Sequence, residues 1–251
     1  MSPLIHFPNS KPVVEEINLS LHSLPKDKNL HIVLLSDLHI RKNTNLESIF
    51  SITKSLSPTL LFLLGDYFYS YKRQKVMEFF HHLRKINPPL GKFAVLGNRD
   101  YAEFLPPLFK SAGIYLLKDS FVPLRYNSLT LTIGGIDFAT KNIANFLSSL
   151  PKADLTILLS HKPDVIFSPG EWHKVQLVVS GHTHGGQIRL PLLGAIFTKS
   201  KLPNKYSSGL IEFPGLKLYI TRGIGMSKFP LRFACPSEIT SLKIKSGDGN
   251  E

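Results

Sequence analysis

The sequence predicts an α/β chain in which two sheets pack face to face with helices outside. Three observations predict it. Short apolar runs end abruptly in Ser-Asp or Gly-Asp, as buried strands do when they run into functional loops. Segments with helical spacing separate those runs in the first part of the chain. Beyond Gly113 the texture changes to short strands bounded by Gly, Pro and Asn. An α/β start joined to a β-rich half is accommodated by two facing sheets.

Taken in order, Val13 to Leu19 alternates as a half-buried strand does. Leu30 to Leu35 is a buried strand that ends in Ser36-Asp37. Leu46 to Leu56 has helical spacing. Thr59 to Leu64 is a second buried strand, closed by Gly65-Asp66. Arg73 to Ile86 reads as a helix stopped by Pro88-Pro89. Lys92 to Leu96 is a third strand, ending in Gly97-Asn98. Tyr101 to Ala112 is expected to be helical, with Pro106-Pro107 interrupting it. The later strands are Phe121 to Arg125, Leu129 to Ile133, Leu155 to Leu159 and Leu177 to Val179. After His184 come Gln187 to Leu190, Gly209 to Phe213, Leu216 to Thr221 and Ile239 to Ile244.

The chain has 251 residues and 43% hydrophobic content, enough for a substantial core. It shows no internal repeat, low-complexity tract or clear linker, so one domain is expected over residues 1–251. With 19% charged residues it is not a disordered polyelectrolyte. The single cysteine, Cys235, cannot form an internal disulfide, which suits a reducing compartment. No run of apolar residues is long enough to span a membrane. The first residues lack an apolar signal core, so a soluble chain without a cleaved leader is expected. The net charge is +12, and it is uneven: ten Lys or Arg face only two acids between Arg189 and Lys245. Such a basic segment attracts phosphates on a substrate, a lipid or a nucleic acid, or is simply a solvated face.

Five short clusters share one design: Asp37-Leu38-His39, Gly65-Asp66, Gly97-Asn98-Arg99-Asp100, Ser160-His161 and Gly181-His182-Thr183-His184. Each follows an expected buried strand. Strand ends of an open α/β sheet meet at one edge, where ligands bind. The converging groups are hard oxygen and imidazole with no thiolate, which excludes a cysteine-based zinc knuckle and suits Mn, Fe or Zn. Seven donors exceed what one ion needs and suit two ions roughly 3.5–4 Å apart with a shared carboxylate. Each residue alone has an ordinary explanation. Asp37 could cap a helix, Asn98 could sit in a turn and His161 could be a hydrogen-bonded core residue. Five successive strand ends carrying them together favour the metal site. His6, His22, His31, His81, His82 and His173 lack this context.

The order D-x-H, G-D, G-N-x-D, H and G-H-x-H resembles the calcineurin-like metallophosphoesterases, and the match runs through residues 31 to 190. The stretches SHKPD, SGHTHGGQIRLP, YITRGIG and PSEI resemble one bacterial branch and extend the likeness over nearly the whole chain. The resemblance implies the calcineurin-like phosphoesterase fold, a four-layer αββα sandwich, with a dinuclear site at one edge. One ion would take Asp37, His39, Asp66 and His184. The other would take Asp66, Asn98, His161 and His182, with Asp66 as the bridge. Asn98, Arg99 and Asp100 are the catalytic candidates. The implied reaction is in-line attack of an activated water on phosphorus.

Arg99 departs from the pattern, since most of the family has His there to protonate a leaving alkoxide. A guanidinium cannot be that acid, because its pKa stays above about 12. A phosphate leaves without a proton, and its developing charge is what a guanidinium fork stabilises. The variant resembles the UDP-2,3-diacylglucosamine diphosphatases of bacterial lipid A synthesis. These imply a lipid-linked nucleotide sugar as substrate, two divalent ions (usually Mn), and a peripheral position at the inner face of the membrane. Residues 191–203, PLLGAIFTKSKLP, and 229–236, FPLRFACP, are compatible with acyl chains and an anionic membrane surface, and equally with ordinary core loops. Nucleic acid is not the expected partner. Two other readings stay open: a phosphodiesterase for another phospholipid or for nucleic acid, and a catalytically silent scaffold of the same fold.

Overall fold

The structure is a computed structural model that describes residues 4–7, 10–22, 24, 28–100, 103–227 and 229–247. In chain order the elements are β1 (Ile5–His6), β2 (Val13–Leu21), β3 (Asn29–Leu35), α1 (Leu46–Ser55), β4 (Leu60–Leu63), α2 (Arg73–Arg84) and β5 (Lys92–Ala94). They continue with α3 (Leu105–Ser111), β6 (Ile114–Leu116), β7 (Ser120–Tyr126), β8 (Leu129–Ile136), α4 (Ile143–Ser149), β9 (Leu155–Ser160) and β10 (Leu177–Ser180). Last come β11 (Arg189–Leu190), β12 (Gly194–Ala195), β13 (Gly209–Phe213), β14 (Leu216–Ile220), β15 (Arg232–Phe233) and β16 (Glu238–Ser246).

One six-stranded sheet has the order β2-β16-β3-β4-β5-β6, and the other β13-β14-β10-β9-β8-β7. Within the first, β3, β4 and β5 run parallel. Within the second, β14, β10 and β9 do. The pleat explains the layering, because successive side chains point to opposite faces. In β3, Ile32 and Leu34 enter the core between the sheets while Val33 and Leu35 face α1 and α2. In β10, Leu177 and Val179 point inward and Val178 points out toward α4. The result is helix, sheet, sheet, helix, as the sequence led us to expect.

The outer helices are held by their own chemistry. In α1, Asn45 accepts a hydrogen bond from Ser48 N (3.0 Å), Glu47 sits in the first turn and Lys54 in the last. Leu46, Ile49, Phe50 and Thr53 form its buried stripe. In α2 the stripe is Val76, Phe79, Phe80 and Leu83. Two expectations change here. Pro106-Pro107 open α3 instead of interrupting it, because a helix's first positions need no amide hydrogen; Tyr101 and Ala102 lie outside the described residues. The strand expected over Gln187 to Leu190 shrinks to Arg189–Leu190, since Gln187 has φ 56° and spends its side chain on another loop. The outer face of the second sheet carries a helix, α4, that the sequence reading did not identify.

Phe79 is fully buried and packs against Phe50, Tyr67, Phe68 and Phe80. Truncating it to Ala should cost about 3–5 kcal/mol of stability, as large-to-small changes in a packed core do. Urea denaturation of the Phe79→Ala variant checks this; a loss below about 1 kcal/mol would mean the helix layer packs loosely on the sheet.

Candidate metal centre

All five clusters meet at one edge of the sandwich, at the carboxyl ends of the parallel strands of both sheets. Past the strand ends, the loops remain tied. Asp37 N donates to Gly65 O (3.0 Å), His39 N to Asp66 O (3.0 Å) and Gly181 N to His161 O (3.1 Å). The two sheets are joined across the site by the Asp37 carboxylate, whose Oδ2 accepts from Ser36 Oγ (2.6 Å) and from His182 N (2.9 Å). The segment after β14 closes the ring: Ile224 N donates to Ser36 O (3.0 Å) and Gly225 N to Asp37 O (2.7 Å). Gly97 and Gly181 are required by close approach. A Cβ on the first would collide with the Asp66 carboxylate, and one on the second with Ser36 Oγ and Asp37 Oδ2.

Five of the expected ligands hold left-handed backbone: Asp37 (φ 50°), His39 (φ 41°), Asp66 (φ 54°), His182 (φ 70°) and His184 (φ 54°). Each such position costs on the order of 1–3 kcal/mol and persists only where the surroundings impose it. The strain aims the side chains. His39 Nε2 lies 3.1 Å from His184 Nε2 and 3.5 Å from Asp66 Oδ2, and His184 Nε2 lies 3.4 Å from Asp37 Oδ1. On the other side of Asp66, Oδ1 lies 3.6 Å from His161 Nε2, which is 3.1 Å from His182 Nδ1. The donor atoms of Asp37, His39 and His184 all fall within 4.8 Å of one another, as do those of Asp37, Asp66 and His161.

These residues fit divalent ions. Asp37 Oδ1 and Asn98 Oδ1 are buried without a hydrogen-bond partner, an expensive state unless an ion serves them. His161 Nδ1 donates to Leu64 O (2.7 Å), which holds the ring with Nε2 turned toward Asp66. Burial holds the His39 and His184 imidazoles well below their usual pKa, helped by Arg99 at His39 and by the His39 ring at His184. Burial and the neighbouring His161 push His182 down to about 3. Neutral imidazoles are the ligand form, so binding an ion would displace no proton from them.

Three expected or overlooked residues take parts that the sequence reading did not give them. Asp100, a catalytic candidate in the sequence, holds backbone here: its two oxygens accept from Asp66 N (2.6 Å), Gly97 N (2.9 Å) and Tyr67 N (3.1 Å), which fastens the two loops that carry Asp66 and Asn98. Burial pushes its carboxyl up to about 7, against the pull of the Gly97 and Tyr67 amides. Arg232, inside the apolar stretch 229–236, is fully buried beneath the site. It donates to His184 O (3.1 Å), Arg222 O (2.8 Å), Gly223 O (3.1 Å) and Gly225 O (2.6 Å). Gln187 clamps the same loop by donating to Phe229 O (2.7 Å) and Leu231 O (2.9 Å). No alternating pattern marks Arg232. Its signal was a lone cation in an apolar run.

If Asp66 bridges, Asp66→Ala should lose both ions, whereas Asn98→Ala should retain the ion on the Asp37 side. Elemental analysis after loading with Mn²⁺ and desalting measures this; two ions retained by the Asp66→Ala protein would reject the bridge.

The sequence profile of the calcineurin-like phosphoesterases matches residues 30–186. The chain is 32% identical over 232 residues to the uncharacterised metallophosphoesterase YkuE of Bacillus subtilis, covering 86% of this chain and 79% of that one. It is 31% identical over 248 residues to an uncharacterised metallophosphoesterase of Helicobacter pylori, covering 94% of this chain but 64% of the relative. Among solved structures it is similar in fold to a putative 5'-nucleotidase from Staphylococcus aureus, with a TM-score of 0.53 at 10% identity over 89% of this chain and 56% of that one. The chain belongs to the calcineurin-like metallophosphoesterases.

Proposed function

We propose that this metal-dependent phosphoester hydrolase cleaves a pyrophosphate bond, and that its substrate is UDP-2,3-diacylglucosamine, released as UMP and 2,3-diacylglucosamine 1-phosphate. The observation that carries this reading is Arg99. It occupies the position after Asn98 where a proton donor would serve an alkoxide leaving group, and its guanidinium has no proton to give at neutral pH. Its place is built. Arg99 N donates to Asp66 Oδ1 (2.9 Å), and Tyr71 Oη donates to Arg99 O (2.6 Å). The guanidinium carbon lies 5.7 Å from the centre of the Tyr69 ring, whose face also carries Arg41 at 3.5 Å. Two guanidinium groups thus share one aromatic ring at the rim of the metal centre.

Two divalent ions, manganese in this reading, would polarise the phosphoryl oxygens and lower the pKa of water there. The residues of the chain do the rest. Asp37, His39, Asp66, Asn98, His161, His182 and His184 would hold the ions, and Asp100 and Arg232 fix the loops that aim those ligands. Arg99 and Arg41 supply charge to the non-reacting oxygens and to the departing phosphate. Hydrolysis adds water across the P–O–P bridge: the oxygen of water bonds to one phosphorus, the bridging oxygen leaves with the other, and no protonated alkoxide is needed.

The test is kcat/KM for Arg99 variants on UDP-2,3-diacylglucosamine and on bis(p-nitrophenyl) phosphate with an alkyl diester alongside. Arg99→Ala should keep both ions and lose about 2–4 kcal/mol of transition-state stabilisation on the pyrophosphate, similar to deleting one oxyanion donor. Arg99→Lys should recover part of it, since a point charge cannot fork onto two oxygens. Arg99→His should favour the alkyl diester. Equal losses on all substrates would make Arg99 a general phosphate anchor and remove the support for a pyrophosphate.

A further inference from the structure

The two sides of the metal centre differ in chemistry. On the His39 side a small pocket of about 120 Å³ has a mixed lining, with Lys11, Arg41, Asn45 and Ser48 beside Leu38, Ile224 and other apolar side chains. On the other side, His182 and His184 form the inner wall of a cleft of about 260 Å³ whose remaining wall is largely apolar, with Ile188, Ile196, Phe197 and Phe229. Beyond that cleft the β11–β12 hairpin projects Leu192 and Leu193, which are 107% and 78% exposed, and Ile196, Phe197 and Phe229 are exposed as well. Leu192 also has φ 66°, a conformation that glycine or asparagine would adopt at lower cost. A bulky apolar residue that is both strained and fully solvated gains nothing inside this molecule. Isolated apolar residues on a surface are normal, but five in one patch beside a reactive centre mark a contact. Lys199, Lys201 and Lys205 are exposed on the adjoining segment, which contributes the charge that an anionic surface requires.

We propose that the cleft between His182 and Phe229 receives an acyl chain, and that the hairpin tip Leu192-Leu193 inserts into an anionic bilayer. The lysines rest on lipid phosphates, so the enzyme takes its substrate from the membrane surface. This deepens the reading of a lipid-linked substrate and rests on it. It also assigns an orientation, with the polar half of the substrate toward Arg41 and the chains toward Phe229. Among the described residues no helix is long and apolar enough to cross a membrane. From the second apolar stretch, 229–236, Phe229 lines the cleft, whereas Arg232 and Cys235 are buried.

Cys235 is fully buried, so Leu193→Cys can be labelled selectively with a polarity-sensitive fluorophore. On vesicles of phosphatidylglycerol and phosphatidylethanolamine the label should shift to the blue and be quenched by brominated acyl chains. Pure phosphatidylcholine vesicles should give little of either, and replacing the three lysines by Gln should weaken the anionic response. An unshifted label on both kinds of vesicle, or a label buried because two copies pair through the hairpin, overturns the proposal. For the cleft, the ratio of kcat/KM on UDP-2,3-diacylglucosamine to that on its unacylated nucleotide sugar should fall by about tenfold or more in Ile196→Asp/Phe197→Asp, the worth of burying one large apolar side chain. An unchanged ratio rejects acyl binding in the cleft. If the unaltered enzyme hydrolyses neither compound, the pyrophosphate reading fails, while the vesicle measurement still decides the membrane contact.

Discussion

The left-handed backbone at Asp37, His39, Asp66, His182 and His184 is the constraint on which the rest of the molecule depends. Five such residues together cost several kcal/mol, a sizeable share of the net stability of an ordinary domain. Extended strands alone would point these side chains alternately to the two faces of a sheet. The left-handed turns gather them at the strand ends instead. The sandwich supplies what holds them there: parallel strands buried on both faces, loop-to-loop hydrogen bonds that continue the ladders, and glycines where two loops touch.

Much of what lies beneath the site serves the same end. Asp100 gives its whole carboxylate to backbone amides of the two loops that bear Asp66 and Asn98. Arg232 fills the space under His184 with a cation that binds carbonyls, although a buried guanidinium is costly unless its donors are well used. Glu238, at the start of β16, accepts from Tyr219 (2.7 Å) and Thr221 (3.0 Å) and pairs with Arg222 Nε (2.8 Å), so the segment leading from β14 to Gly225 is anchored to the first sheet. That segment in turn holds Ser36 and Asp37. The metal centre is the meeting point of two sheets rather than a property of either one.

The sequence made the ligand positions legible because each ends an apolar run, and the fold made the convergence possible. Asp37, His39, Asp66, Asn98, His161, His182 and His184 are all brought to one edge. The role of Asp100 was not legible, since a carboxylate that binds amides looks the same in sequence as one that binds substrate. Helix α4 was missed because IANFLSS is short and carries only Phe146 and Leu147 as buried residues, too few to show a period. Pro106-Pro107 misled because proline breaks a helix in its middle and starts one at its first turn. The stretch 229–236 could be read in the sequence as a lipid-facing loop or as a core loop, and the structure divides it: Phe229 is exposed while Arg232 and Cys235 are buried.

The bridged pair of ions is open to anomalous diffraction from crystals of the protein grown with Mn²⁺. Two peaks roughly 3.5–4 Å apart are expected, with one oxygen of Asp66 directed at each, Asn98 on the His161 side and Asp37 on the His39 side. A single peak, or two peaks with Asp66 bound to neither or to only one, would contradict the bridge.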